Sequence, residues 1–148
     1  MWHEGLTLDL FAWLLNALAL SFGACLGARG LIDPKWAARL VRLKADEAAP
    51  GGFAEFRATY GGVFLGLHGF ALLITLHWIL FGQEVIGALA TGAAATLSAG
   101  WLGAAFGRVV SMWRDGTRTQ FNLVSAGVEA LIGLMLGAPW IVWLQFPT

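Results

Sequence analysis

Four long apolar runs dominate the chain, and they fix the solvent in which it must fold. They cover roughly residues 7–31, 59–81, 85–107 and 121–146. At about 1.5 Å per helical residue, each can cross about 30 Å of hydrocarbon. Of the 148 residues, 58% are hydrophobic and 12% charged, whereas a soluble domain carries about a quarter charged residues. One soluble core cannot hide that much apolar surface. The sequence predicts an all-α membrane protein, a single integral membrane domain over residues 1–148, built as an antiparallel four-transmembrane-helix bundle.

The connections refine this expectation. Only Gly-Gln-Glu (82–84) separates the second run from the third, so those two spans must form a hairpin. A short polar stretch, RVVSMWRDGTRTQ, joins the third to the fourth. The first connection is longer and reads as an amphipathic helix over about 34–48. Asp33 is its N-cap and Pro34 its first residue. Trp36, Leu40 and Leu43 share one face; Lys35, Arg39, Arg42 and Asp46 share another, and Pro50-Gly51-Gly52 ends it. This helix is expected to lie flat on the cytoplasmic membrane surface, its basic residues toward lipid phosphates.

All nine basic residues lie at or between the helix ends on one side of the predicted membrane. The positive-inside rule then places both long connections in the cytoplasm and both termini outside. Trp2, Trp78, Trp140 and Trp143 would form the outer aromatic belt, and Tyr60 and Trp113 the inner one. The first apolar run lacks a basic flank before it and is too long for a signal-peptide core, so it is expected to be a retained helix. Cys25 is the only cysteine, which excludes a disulfide framework and a Cys-x-x-Cys redox pair.

Each span holds a Gly-x-x-x-Gly: Gly23/Gly27, Gly62/Gly66, Gly103/Gly107 and Gly133/Gly137. Small residues at this spacing let helix backbones approach closely in lipid. Polar and small residues also recur every seven positions, as Asp9, Asn16 and Gly23 and as Gly61, His68 and Thr75. That period suits a left-handed crossing with the polar residues facing inward.

Within the fourth run, FNLVSAGVEALIGLMLG, Glu129 sits where a charge costs about 2.5–3.5 kcal/mol on insertion scales. By residue count Asn16, His68, Ser98 and Glu129 fall at similar depth, near the midplane. Glu129 and His68 are expected to face a shared interior site, which serves either as a structural clasp or as a place for a ligand. His77 projects from the opposite side of its helix to His68, so the two cannot share a ligand. With no Cys or carboxylate cluster, neither a metal site nor a cofactor is expected. At the cytoplasmic level Arg29, Arg57 and Arg108 are three guanidinium groups, with Asp33, Glu55 and Asp115 as candidate partners. They form either a salt-bridge network or a pocket for an anionic group.

The elements GARGLIDP, EFRATYGGVFLGLHGFALL and FGRVVSMWRDG, followed by Asn122, Glu129 and Gly133, resemble the bacterial membrane family known as domain of unknown function 4345. The likeness runs from the first span into the last. It places Arg57, Tyr60, Gly61, Gly62, Arg108, Ser111, Asp115 and Glu129 on the family's characteristic positions. It departs after Asp115-Gly116, where TRTQ stands in place of a nearby proline. The resemblance implies a four-helix inner-membrane protein and carries no activity with it.

These readings give an inner-membrane protein that binds a lipid-like or small apolar molecule, or serves as a subunit of a membrane assembly. Asn16, Arg57, Tyr60, His68, Arg108, Asp115, Asn122 and Glu129 are the candidate ligand-binding residues. Acid–base catalysis by His68 and Glu129 on a lipophilic substrate, or proton or ion movement through an oligomer, are the alternatives, and whether the chain is an enzyme stays open. Membrane lipids are the expected partners, with a homo-oligomer or larger complex also compatible. Nucleic acid is not an expected partner, because membrane topology already accounts for the basic residues.

Overall fold

The computed structural model describes residues 2–45 and 51–145, with side chains from residue 8 to residue 144. The elements are α1 (Trp2–Ile32), α2 (Pro34–Val41), a π-helical stretch (Phe56–Val63) that runs into α3 (Phe64–Phe81), α4 (Glu84–Arg114) and α5 (Gln120–Gln145). Among the described residues four helical segments are long and apolar enough to cross a membrane: Leu8–Ile32, Phe56–Phe81, Glu84–Arg114 and Gln120–Leu144. Leu18, Phe70, Leu73, Leu80 and Leu131 are each more than half exposed. In water such faces would drive aggregation; against acyl chains they are at home.

Several boundaries differ from the sequence reading. α2 stops at Val41 rather than near residue 48, because Arg42 adopts a left-handed conformation at φ 57°. Its N–H then bonds back to the Ala38 and Arg39 carbonyls, a helix-ending geometry. The expected terminator Pro50 and the face residue Asp46 lie outside the described residues. The third span does not give way to a loop at Gly107: α4 continues through RVVSMWR to Arg114. The second span begins at Phe56, and its first eight residues are π-helical. The last helix starts at Gln120 and is described to Gln145, so the expected end at Phe146 lies outside the described residues.

Two compact units are present, Leu20–Leu73 and Met1–Ala19 with Ile74–Thr148. In the first, α1 offers a floor without side chains. The His68 ring lies where a methyl on Gly23 would project, and the Leu65 backbone does the same at Gly27. The Tyr60 carbonyl oxygen would be 2.6 Å from a methyl on Gly30. Facing these, Gly61 lets the Leu31 backbone approach. Asp33 starts α2 by accepting the Trp36 N–H at 2.9 Å, with Pro34 needing no donor. α2 then buries Ala37 and Ala38 against Phe56. One extra residue in the π-helical turn rotates what precedes it by about 100°. Phe56 can thus meet α2 while Gly61 and His68 meet α1.

In the other unit α4 and α5 form an antiparallel hairpin turned at Gly116, whose φ of 67° favours glycine. Gly133 faces Leu102 and Gly137 faces Ser98. Ser98 Oγ donates to the Gly133 carbonyl at 2.7 Å. Gly82, at φ 64°, reverses the chain between α3 and α4. Trp78 meets Trp13 edge-on at 6.2 Å and covers Gly87. The four Gly-x-x-x-Gly pairs therefore divide. Gly23/Gly27 and Gly133/Gly137 sit in close helix contacts, whereas Gly66, Gly103 and Gly107 face open space.

Candidate functional site

The α4–α5 hairpin builds a polar cluster around Glu129. Glu129 is about nine residues past Gln120, roughly 13 Å into the helix at about 1.5 Å per residue. Arg108 Nε donates to both carboxylate oxygens, each at 2.8 Å. Arg108 Nη1 donates to Asn122 Oδ1 at 3.3 Å. Asn122 in turn donates from Nδ2 to the Thr117 carbonyl at 2.9 Å, and Thr117 shares a hydroxyl bond of 2.9 Å with Ser111. Phe121 lies 5.9 Å from the guanidinium carbon. The turn is thereby wired to the ion pair. The cluster is not sealed, since the side chains are 31% (Arg108) and 15% (Glu129) exposed.

A guanidinium group has five N–H donors. Nε and one Nη1 hydrogen are engaged, and the other three meet no acceptor among the described residues. Glu129 cancels the charge. What the cluster offers is a neutral, donor-rich patch inside an apolar segment, suited to a carbonyl, ester or hydroxyl oxygen.

Other polar residues are fully committed. Asn16 is completely buried; its Nδ2 donates to the Leu136 carbonyl at 2.7 Å, and its Oδ1 accepts from Thr75 at 3.2 Å. This is a clasp joining three helices. His68 is 3% exposed, with Nδ1 2.9 Å from the Phe64 carbonyl and its ring stacked on Phe64. His68 and Glu129 belong to different units, and each has partners within its own.

Arg57 bonds the Leu31 carbonyl at the end of α1, where a cation also suits the helix dipole. Tyr60 stacks on Phe56 at 5.8 Å. Asp115 caps α4, its N–H on the Ser111 carbonyl at 2.9 Å. Among the described residues none of the three arginines forms an ion pair with the candidate partners Asp33, Glu55 or Asp115. Arg29 lies 5.0 Å over the Trp36 ring, Arg57 takes a carbonyl and Arg108 takes Glu129. Asp33 pairs with Arg39 at 3.8 Å. Among the described residues no group of three His, Cys, Asp or Glu side chains is placed to hold a metal ion.

The Arg108–Glu129 pair was legible in principle. With an antiparallel hairpin turning through residues 115–119, residues roughly ten positions to either side of that connection lie abreast. Asn16 with Thr75 and Leu136 carried no comparable signal.

Span-length apolar helices, joined by buried polar clasps and a charged pair, define a multi-pass membrane protein. Its family follows from the sequence: the chain belongs to the family described as Domain of unknown function (DUF4345), whose model matches residues 10–145. Neither the curated proteins nor the solved structures yield a match.

Proposed function

We propose that this protein binds a lipid-like or small apolar molecule whose neutral polar end sits at Arg108, Asn122 and Glu129. The observation that supports it is a charge-neutral ion pair, partly open, within an apolar span and with guanidinium donors unused. Hydrocarbon leaves such donors unsatisfied, at a cost of several kcal/mol for a group with no partner. An oxygen acceptor on a membrane-dissolved molecule relieves that cost, and its apolar remainder lies along the exposed Val124, Val128 and Leu131 of α5. An anionic headgroup suits the place less well, because Glu129 already supplies the negative charge.

The test is native mass spectrometry of the full chain released from mild detergent. A bound neutral lipophile should accompany the wild type and be lost from Arg108→Gln. A wild type that carries nothing, or a molecule that Arg108→Gln retains unchanged, would count against the reading.

A role as a subunit of a membrane assembly is the second reading, and one observation favours it. The outward face of α4 exposes Ala88, Gly92, Thr96, Gly100, Gly103 and Gly107. Added methyls on its four glycines would meet nothing within 4 Å. Such a face admits another helix closely. Light scattering of the detergent-solubilised chain distinguishes monomer from oligomer. We further propose an inner-membrane location with both termini outside, since every basic residue falls at the opposite helix ends.

A further inference from the structure

The surface of α2 is a second place where chemistry is on offer, and it involves none of the α4–α5 residues. α1 ends at Ile32 and α2 begins at Pro34. The Asp33 N–H still bonds the Arg29 carbonyl at 2.8 Å, so the joint has no slack. On its inner side α2 is closed by Phe56, the first residue of the next candidate span. A helix held between two span ends lies at the edge of the bilayer.

Its outer side has two rows. Lys35 and Arg39, one helical turn apart, are exposed; beside them stands Leu40, with Leu43 and Lys44 just beyond the helix, while Trp36 is half-buried against the Ala37, Ala38 and Phe56 cluster. Leu40 is 46% exposed and Leu43 53%. Arg29 covers the Trp36 ring and adds a further cation. Residues 29–47 carry five basic side chains and three acidic ones, Asp33, Asp46 and Glu47. Asp33 is engaged as the cap of α2, and its pair with Arg39 is exposed enough to leave that guanidinium available.

Water satisfies the basic row but not the leucines. Hydrocarbon satisfies the leucines but not the basic row. The headgroup layer of an anionic leaflet satisfies both, with phosphate oxygens for the ammonium and guanidinium groups and the upper acyl chain for Leu40 and Leu43.

We propose that Lys35, Arg39 and Lys44, with Leu40 and Leu43, form a docking surface for anionic phospholipid headgroups in the leaflet at which α1 ends. An acidic protein would match the charge, but it would not account for the apolar row at the bilayer edge.

The test uses the full chain in nanodiscs holding equal phosphatidylglycerol and phosphatidylcholine, with lipids retained on release counted by native mass spectrometry. The wild type should retain phosphatidylglycerol preferentially. Each neutralised cation should lower that preference by up to about fivefold, so K35Q/R39Q/K44Q should bring it close to parity. The charge-preserving K35R/R39K/K44R should keep it. Raising salt from about 0.15 M to about 1 M should weaken it in the wild type, which tests the proposal even if a variant misfolds. Equal retention of the two lipids by the wild type overturns the proposal. So does a preference that survives both the triple neutralisation and high salt.

Discussion

Replacing Glu129 by Gln and Arg108 by Gln, singly and together, measures what the α4–α5 ion pair contributes. Removing one partner of a fully buried pair costs about 3–5 kcal/mol, whereas an exposed pair contributes about 0–1 kcal/mol. Side-chain exposures of 15% and 31% place this pair between those limits. One N–H is shared between both oxygens at 2.8 Å, a three-centre contact rather than a two-bond fork, so a middle value applies. Each single variant should therefore lose about 2 kcal/mol. The double variant should lose less than the sum, since neither residue is then left as an uncompensated charge. A coupling of about 1–2 kcal/mol is expected. Reversible unfolding in mixed micelles, followed by far-ultraviolet circular dichroism, gives the four free energies needed. Independent sites add to within about 0.3–0.5 kcal/mol. Strict additivity here would refute the claim that the contact is stabilising, and with it the picture of Arg108 held ready for a ligand.

Gly23→Ala should destabilise by about 1–3 kcal/mol, because its methyl enters the His68 ring; in thermal melts, a His68→Ala background should largely remove that penalty. Asn16→Ala should lose about 1–2 kcal/mol by leaving the Leu136 carbonyl and Thr75 without their buried partner, and unchanged unfolding would argue against the clasp. Asp33→Ala should lose about 1 kcal/mol by uncapping α2, and hydrogen exchange should show the loss confined to residues near α2. Gly103→Ala, where a methyl meets nothing, should leave the melting of the monomer unaltered.

The sequence carried the coarse architecture because hydrocarbon imposes it. A run of about 20 apolar residues has few options in a bilayer, and turns fall where polar residues interrupt. That logic located the spans, and Gly82 and Gly116 marked the reversals. It could not foresee the π-helical stretch, since FRATYGGV carries no local signal for an extra residue per turn. Nor could it sort the glycines. Gly62 and Gly61 are neighbours of equal size, yet it is Gly61 that admits Leu31. Which of two small residues faces a partner depends on helix rotation, and a π-helical insertion shifts rotation. The end of α2 escaped for a similar reason: Arg42 is not a residue from which a left-handed cap is expected.

Burial divides the polar residues of the apolar spans. Asn16 at 0%, Thr75 at 1%, His68 at 3% and Ser98 at 8% exposure are spent on carbonyls or on one another. A ligand could reach them only by displacing an existing bond, so their physical role is to fix helix rotation. Arg108 and Glu129, at 31% and 15% side-chain exposure, have atoms still available. The division follows from hydrogen-bonding capacity. Asn and Ser can be satisfied by one or two partners from a neighbouring helix, whereas a guanidinium group has more donors than a helix hairpin can supply acceptors. An arginine drawn into an apolar span by a glutamate is thus left with binding capacity, and that excess separates a candidate site from a clasp. Replacing Arg108 by Lys keeps the charge but removes the planar fork and its outward donors. Stability should then be largely retained while any bound lipophile is lost. Loss of both together would mean that the pair serves only the fold.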